Sequence, residues 1–394
     1  MAERWTNRAG EYREQLGGLR AFMPRPLPPE PPLRYDDELL DLLSKADRSL
    51  GRLDGSTGIL PDPDLFVLMY VRKEAVLSSQ IEGTQASLLD MLEYEANQAD
   101  QVDPRPAAEV SNYVDAMNYG LSRLRDLPVS MRLIREIHQH LMTGVRGGER
   151  NPGEFRRTQN WIGATGATLA NAVYVPPPAT ELASLLSDLE RFLHDPAPMP
   201  VLVKVGLAHA QFETIHPFLD GNGRAGRLLI TFLLCEQRIL QKPLLYLSHY
   251  FKRARSEYYD RLQAVRDHGD WEGWVKFFLK GIYDVATEAT GVARSITEMR
   301  ERDRRLISDR LSRTSHSAQK LLEGLYSLPI TSVKAAAALT GVSMGTANTL
   351  VNHLVELGIL KEVTGFKRNR RFRYQRYLDL FTDPETEAPR LSRA

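Results

Sequence analysis

Apolar residues recur at helical spacing over most of the chain. From Asp36 they fall at Leu39, Leu42, Leu43 and Leu50, then at Leu65, Leu68, Val71, Ala75 and Ile81. Spacings of this kind line one face of a helix. Pro104 and Pro106 mark a boundary, and the pattern resumes through Val110, Val114, Met117 and Leu121 and through Leu133, Ile137 and Leu141. Between Gly144 and Pro178 it gives way to glycine, threonine, asparagine and β-branched residues, ending in Ala172-Val173-Tyr174-Val175 and three prolines. That change predicts a loop or short hairpin. Helices return from Thr180 to about Arg294, with Val201, Val205, Ala208, Phe212 and Ile215 marking one apolar face.

The two ends read differently. Pro24, Pro26, Pro28, Pro29, Pro31 and Pro32 remove donors and fix φ, so residues 1–35 are expected as an extended arm. Residues 294–316 are dense in mixed charge, the composition of a solvated helical linker. From Ser317, an apolar helix over Leu321, Leu322 and Leu325 stops at Pro329, a second runs from Val333 to Leu339, and Gly341-Val342 turns the chain. Ser343 can cap a third helix carrying Leu350, Leu354 and Leu357, and two strand patterns flank Thr364-Gly365. Residues 317–381 are therefore expected as a winged helix-turn-helix domain and 382–394 as a disordered tail. The expected fold class is mainly α: a helical region over 36–103, a helical core over 104–293 with a short β-hairpin flap, and the C-terminal winged domain.

Composition narrows the class. The 394 residues carry 51 Lys and Arg against 50 Asp and Glu, a net of +1, with 42% hydrophobic residues. This is globular composition, neither disordered nor collagenous. The single cysteine, Cys235, follows the apolar run Leu228-Leu229-Ile230-Thr231-Phe232-Leu233-Leu234, which excludes a disulfide framework and a Cys-based zinc site. An intracellular, cytoplasmic location is the expectation, without a leader or a membrane span.

One segment carries chemistry: His216-Pro217-Phe218-Leu219-Asp220-Gly221-Asn222-Gly223-Arg224-Ala225-Gly226-Arg227. It joins two apolar helical patterns, so its Gly-rich turn feeds a helix N-terminus, where free N–H groups and the dipole bind anions. Arg224 and Arg227, three apart, each add a charge-assisted contact to a polyphosphate. Asp220 suits a Mg²⁺ ion shared with the phosphates. His216 is placed to take a proton from an attacking hydroxyl. The segment also fits the G-x-G-x-x-G dinucleotide pattern, but a helix rather than a strand precedes it and no acid occurs between Glu236 and Glu257. A purely structural turn, with a capping Asp and a core His, is the other reading.

With every defined position filled, the segment resembles the signature H-P-F-x-[DE]-G-N-[GK]-R-x-x-R of Fic-domain enzymes. The resemblance covers about residues 32–291 and implies a Fic-type core. It implies a protein adenylyltransferase: His216 deprotonates a Ser, Thr or Tyr hydroxyl, which attacks the α-phosphate of ATP and releases pyrophosphate. It also implies that Asp220 holds Mg²⁺, that Gly221, Asn222 and Gly223 form the anion hole with Gly226 beside it, and that Arg224 and Arg227 contact the β- and γ-phosphates. Ser78-Ser79-Gln80-Ile81-Glu82-Gly83 is similar to the family's inhibitory motif [ST]-x-x-x-E-[GN]. There Ser78, Glu82 and Gly83 would set a carboxylate on Arg227 and block the γ-phosphate; the bland reading is a solvated Ser–Glu pair with a C-capping glycine.

Asn160 to Gly163 and Asn171 to Pro178 resemble the family's flap, which pairs with an extended target segment. Gly163, Val173, Tyr174 and Val175 are its candidate docking residues, against an ordinary hairpin. Tyr258 is a candidate neighbour of the adenine. The resemblance further implies target proteins bearing a hydroxyl, self-modification and a capacity to form a homodimer. Some members remove AMP or transfer other phosphate-linked groups.

Lys361 to Arg376 holds seven basic residues against Glu362, a net of 7 − 1 = +6. Lys367, Arg368, Arg370 and Arg371 are candidate nucleic-acid contacts. The presumed recognition helix from Ser343 to Leu357 has no Lys or Arg, so protein docking competes. A nucleotide-responsive DNA-binding regulator is the alternative to the enzyme.

Overall fold

The computed structural model describes residues 7–15, 19–58, 63–96, 104–163, 166–311 and 314–382. The expected tail from 383 onward, residues 1–6 of the expected arm and residues 97–103 around its first domain boundary lie outside the described residues.

The N-terminal segment departs from the extended arm. Strands β1 (Gly10–Gln15) and β2 (Leu19–Pro24) pair antiparallel, Tyr12 opposite Phe22. Ala21, Phe22 and Met23 are buried. The prolines that suggested an extended arm begin only at Pro24, the last residue of β2, so the five strand residues before it are free to form a ladder; residues 25–36 then run without helix or strand.

The helices follow the periodicity. They are α1 (Asp37–Thr57), α2 (Pro63–Ile81), α3 (Leu88–Glu95), α4 (Pro104–Arg123), α5 (Met131–Met142), α6 (Leu182–Leu193), α7 (Val201–Ile215), α8 (Asn222–Glu236), α9 (Ser248–Arg253), α10 (Arg255–His268) and α11 (Trp271–Arg310). Side chains satisfy several exposed starts: Asp36 accepts from Leu39 N, and Ser87 with Asp90 forms a capping box on α3. The core centres on Trp271, Trp274 and Phe278 of α11, and Trp274 Nε1 donates to Gly206 O at 2.8 Å. A buried indole without such a partner would lose a hydrogen bond to water with no return.

The charged stretch after Arg294 is no separate linker. It is the second half of α11, and Ile296, Met299, Asp303 and Ile307 on it are buried. Those positions recur three or four apart among charges that face solvent, and Asp303 is the acid that breaks the apolar stripe. Asp303 accepts from Tyr374 Oη, from Arg376 at 3.2 Å and from Arg302 Nε at 3.3 Å, so donors on three residues offset the cost of burying the carboxylate.

The C-terminal unit contains α12 (Ser315–Ser327), β3 (Ile330–Ser332), α13 (Val333–Thr340), α14 (Met344–Glu356), β4 (Lys361–Glu362), β5 (Arg371–Arg373) and α15 (Gln375–Leu378). Its sheet has the order β3-β5-β4, antiparallel throughout. Gly341 at φ 78 turns α13 toward α14. The unit packs on α2 and α3: Arg72 donates to Ser327 O at 2.6 Å, Phe381 meets the Tyr70 ring edge-on at 5.5 Å, and Arg373 pairs with Glu93.

Candidate active site

The turn between α7 and α8 starts with a strained residue. His216 caps α7 at φ 51, a left-handed conformation that non-glycine residues rarely adopt. Its carbonyl is held by Arg156 Nε at 3.0 Å and Asn160 Nδ2 at 3.3 Å, and Asn160 also donates to Phe218 O at 2.8 Å. Asn222 closes the turn by exchanging two side-chain bonds with the Phe218 backbone. Gly221 at φ 76 then opens α8, whose first amides have no carbonyl ahead of them.

Burial, and after it the charges of Arg266 and Arg156, lower the His216 ring to about 3. The imidazole is neutral at neutral pH, the form a general base needs. Its Nδ1 is buried without a partner among the described residues.

The two arginines differ. Arg224 is buried, with Nη2 against Met142 Sδ at 3.1 Å and Nε and Nη1 unpartnered among the described residues. Buried donors of a cation are seldom left empty, so the cradle suits an anion. Arg227, with a side chain 2% exposed, donates from Nε to Ser78 Oγ at 2.8 Å and from Nη2 to Ser78 O at 3.0 Å and Glu82 Oε1 at 2.7 Å. Ser78 and Glu82, one turn apart at the end of α2, thus close on one guanidinium within a single chain. Gly83 ends the segment at φ 94.

Burial would raise the Glu82 carboxyl, but Arg227 beside it, helped by Arg224 and His216, brings it below its ordinary value. Its Oε1 lies so close to Gly223 that a Cβ there would overlap it. The carboxylate therefore stands over the helix start itself. Glu213, buried on α7, lies likewise against Gly226, with Oε1 unpartnered among the described residues. Burial raises it to about 7, against the pull of Arg227.

Asp220 is at the mouth. Oδ1 accepts from Gly221 N at 2.7 Å and Oδ2 is 3.7 Å from Arg150. No group of three or more His, Cys, Asp or Glu suited to a metal occurs among the described residues. A lone half-exposed carboxylate beside an anion cradle fits Mg²⁺ only as an ion whose other ligands are phosphate and water.

The flap candidates separate. Val173 is exposed and pairs through its N–H with Ile162 O at 2.8 Å, while Tyr174 and Val175 are buried. Gly163 lies beside Ala167, too close for a Cβ. Tyr258, the candidate neighbour of the adenine, is buried, its hydroxyl 2.9 Å from His209 Nε2 and its ring stacked 4.5 Å from Phe251. An aromatic at helical spacing ended in the core, and its neighbour Tyr259 is the partly exposed one.

Sequence reasoning passed over His138, Arg156 and Glu213. His138 Nε2 bonds Asp220 O at 2.9 Å, Nδ1 accepts from Gly153 N at 2.9 Å, and the ring stacks 3.7 Å from Phe218. One nitrogen donates and the other accepts, so the ring is neutral, and burial lowers it to about 4. Its sole sequence signal is a histidine on the apolar face of Leu133, Ile134, Ile137 and Leu141. Nothing local marks Arg156.

Of the basic C-terminal residues, Lys367 and Arg368 are exposed. Arg370 donates to Asn348 Oδ1 at 2.9 Å and Asn352 Oδ1 at 3.0 Å, while Arg371 lies half-buried on β5.

Fold and site together define a helical protein with an anion cradle at a helix start, covered by a carboxylate from a second helix. Residues 40–122 match the family described as Fic/DOC family N-terminal and residues 128–234 the Fic/DOC family itself, so the chain carries a Fic domain. Over 166 residues it is 34% identical to the protein adenylyltransferase Fic of Drosophila ananassae, covering 41% of this chain and 30% of that one. The Drosophila melanogaster protein of the same name gives the same identity and shares. The chain thus covers under a third of the length of these curated relatives. A Fic family protein from Desulfovibrio desulfuricans G20 superposes with a TM-score of 0.57 at 20% identity, over 87% of this chain and 97% of that one. Fic-1 from C. elegans gives 0.50 at 19% identity, over 65% and 73%. Both show the fold. No described helix is long and apolar enough to cross a membrane.

Proposed function

We propose that the protein transfers AMP from ATP to Ser, Thr or Tyr hydroxyls of target proteins and of itself, and that Glu82 holds this activity low. The observation that carries the reading is the Glu82 carboxylate on Arg227 and over Gly223, with Nε and Nη1 of Arg224 unpartnered among the described residues. An inhibitor built of one carboxylate is what an anionic γ-phosphate would have to displace.

In this reading the amides of Gly221, Asn222 and Gly223 and the side chains of Arg224 and Arg227 hold the triphosphate. The target hydroxyl oxygen bonds to the α-phosphorus, its proton passes to the neutral His216 ring, and the bond to the bridging oxygen breaks, releasing pyrophosphate. Asp220 would hold Mg²⁺, which supplies charge neutralisation of the phosphates when bound. Fixed amide dipoles facing developing phosphoryl charge supply most of the expected rate gain. Intact-mass spectrometry of the Glu82→Gly variant incubated with Mg²⁺ and ATP should show added AMP. An unmodified mass for the variant, with self-modification and an added lysate both tried, would refute the reading.

We read the C-terminal unit as a winged helix. Its exposed tip Phe366-Lys367-Arg368 favours a second reading, in which this unit brings the enzyme to nucleic acid; salt-sensitive duplex binding is its test.

A further inference from the structure

The flap's own pairing is confined to one isolated bridge: Ile162 N donates to Tyr174 O at 2.8 Å, and Ile162 O accepts from Val173 N at 2.8 Å and Tyr174 N at 3.1 Å. Beyond it, Trp161 Nε1 donates to Ala167 O at 2.9 Å and Thr168 N to Asn171 Oδ1 at 2.6 Å. Two-stranded pairings of this size are marginal in water. Support comes from elsewhere. The Tyr174 hydroxyl donates to Thr214 O at 2.7 Å, two residues before His216, and the Arg266 guanidinium lies 3.8 Å over the Tyr174 ring.

On the other side stands the N-terminal hairpin. Phe22 N donates to Val175 O at 3.0 Å, and the buried Phe22 ring lies 6.5 Å from Tyr174 and 5.0 Å from Tyr12, edge-on to the latter. The hairpin is anchored in turn. Tyr12 Oη donates to Asp267 Oδ1 at 2.8 Å, and Gln211 Nε2 of α7 donates to Arg25 O at 2.8 Å. Hairpin, flap base and catalytic helix are therefore one connected unit, and Val173, 73% exposed, projects from it.

We propose that the β1–β2 hairpin is the brace that keeps the flap shaped for an extended segment of a target protein, with Phe22 and Tyr174 as positioning residues. Neither residue touches the phosphate cradle, so the brace acts on the acceptor and leaves ATP alone. Its effect on transfer rests on the adenylyltransferase reading; the brace itself rests on the contacts above.

The test uses the full chain carrying Glu82→Gly, with and without Phe22→Ala. Hydrogen exchange at the amides of Ile162, Val173 and Tyr174 should quicken by about tenfold or more, while the amides of α8 keep their protection. ATP affinity by titration calorimetry should stay within about twofold, and transfer to a His216→Ala copy of the chain should fall through a higher KM for that acceptor. Phe22→Leu should restore most of the protection by refilling the apolar site. Tyr174→Phe, which removes only the bond to Thr214, should produce a smaller quickening at the same amides. Unchanged exchange at Val173 and Tyr174 in both Phe22→Ala and Tyr174→Phe would overturn the brace, as would a fall in transfer that tracks a loss of ATP affinity. Absence of any transfer by the parent, with the exchange result intact, would refute the enzymatic reading and leave the brace standing.

Discussion

At the start of α8, Arg224 keeps two buried nitrogens without a partner among the described residues, and Arg227 is met by a serine of α2 and the carboxylate just after it. In the C-terminal unit, Arg370 just before β5 meets Asn348, Asn352 and Glu362, Arg373 on β5 meets Glu93, and Arg376 on α15 meets Asp303. The second region carries more positive charge in the sequence, yet three of its seven cations bind the protein itself. Arg373 and Arg376 also keep a buried Nε without a partner among the described residues, but each meets a carboxylate through its outer nitrogen, whereas Arg224 meets a thioether. An arginine left without a counter-charge, or given one that can leave, marks a site; a run of basic residues does not.

The largest test of this contrast lies in the arginines. In the Glu82→Gly background, Arg224→Ala and Arg227→Ala should each lower kcat/KM for ATP by about 10- to 100-fold, the worth of a charge-assisted contact. Arg370→Ala should leave it within about twofold. Equal losses at all three would erase the distinction. A smaller effect is expected at the exposed tip: if duplex DNA binds, Lys367→Ala with Arg368→Ala should reduce the slope of log K against log salt by about 2. A parent that binds no duplex at low salt removes the nucleic-acid reading.

The smallest effect concerns a buried acid beside the cradle. Arg227, Arg266 and Glu82 are the charged groups acting on Glu213, and burial still raises it from 4.5 to about 7. Between those values the folded chain keeps a proton that the unfolded chain has lost, so this group's contribution to stability falls as pH rises through that window. Glu213→Gln cannot ionise. Its melting temperature relative to the parent should rise by a few degrees between about pH 5 and about pH 7.5; a difference independent of pH would show Glu213 ionised in the folded chain.

Much of the site was legible because its chemistry is local. Twelve consecutive residues set the turn, the helix start and both arginines, and the helical spacing of Ser78 and Glu82 put both on one face. What lay hidden depends on contacts far apart in sequence. Nothing beside Tyr258 in the sequence announces its contact with His209, forty-nine residues earlier. The pairing of residues 10–15 with 19–24 was masked by the prolines from Pro24 onward. The second half of α11 looked solvated because Asp303, the charge in its buried stripe, finds its partners Tyr374 and Arg376 some seventy residues later. Helical period was readable, but which face met what was not.

In the proposed function, an open anion cradle and a neutral histidine carry AMP transfer under a removable carboxylate. The most direct measurement is label retention on protein after incubating the parent, Glu82→Gly and Glu82→Gly/His216→Ala chains with Mg²⁺ and ATP labelled at either the α- or the γ-phosphate. The expected result is α-label on the Glu82→Gly chain well above the parent, no γ-label on any, and loss of label by at least about 100-fold when His216 is removed. Label from the γ-position, or α-label undiminished without His216, would contradict it.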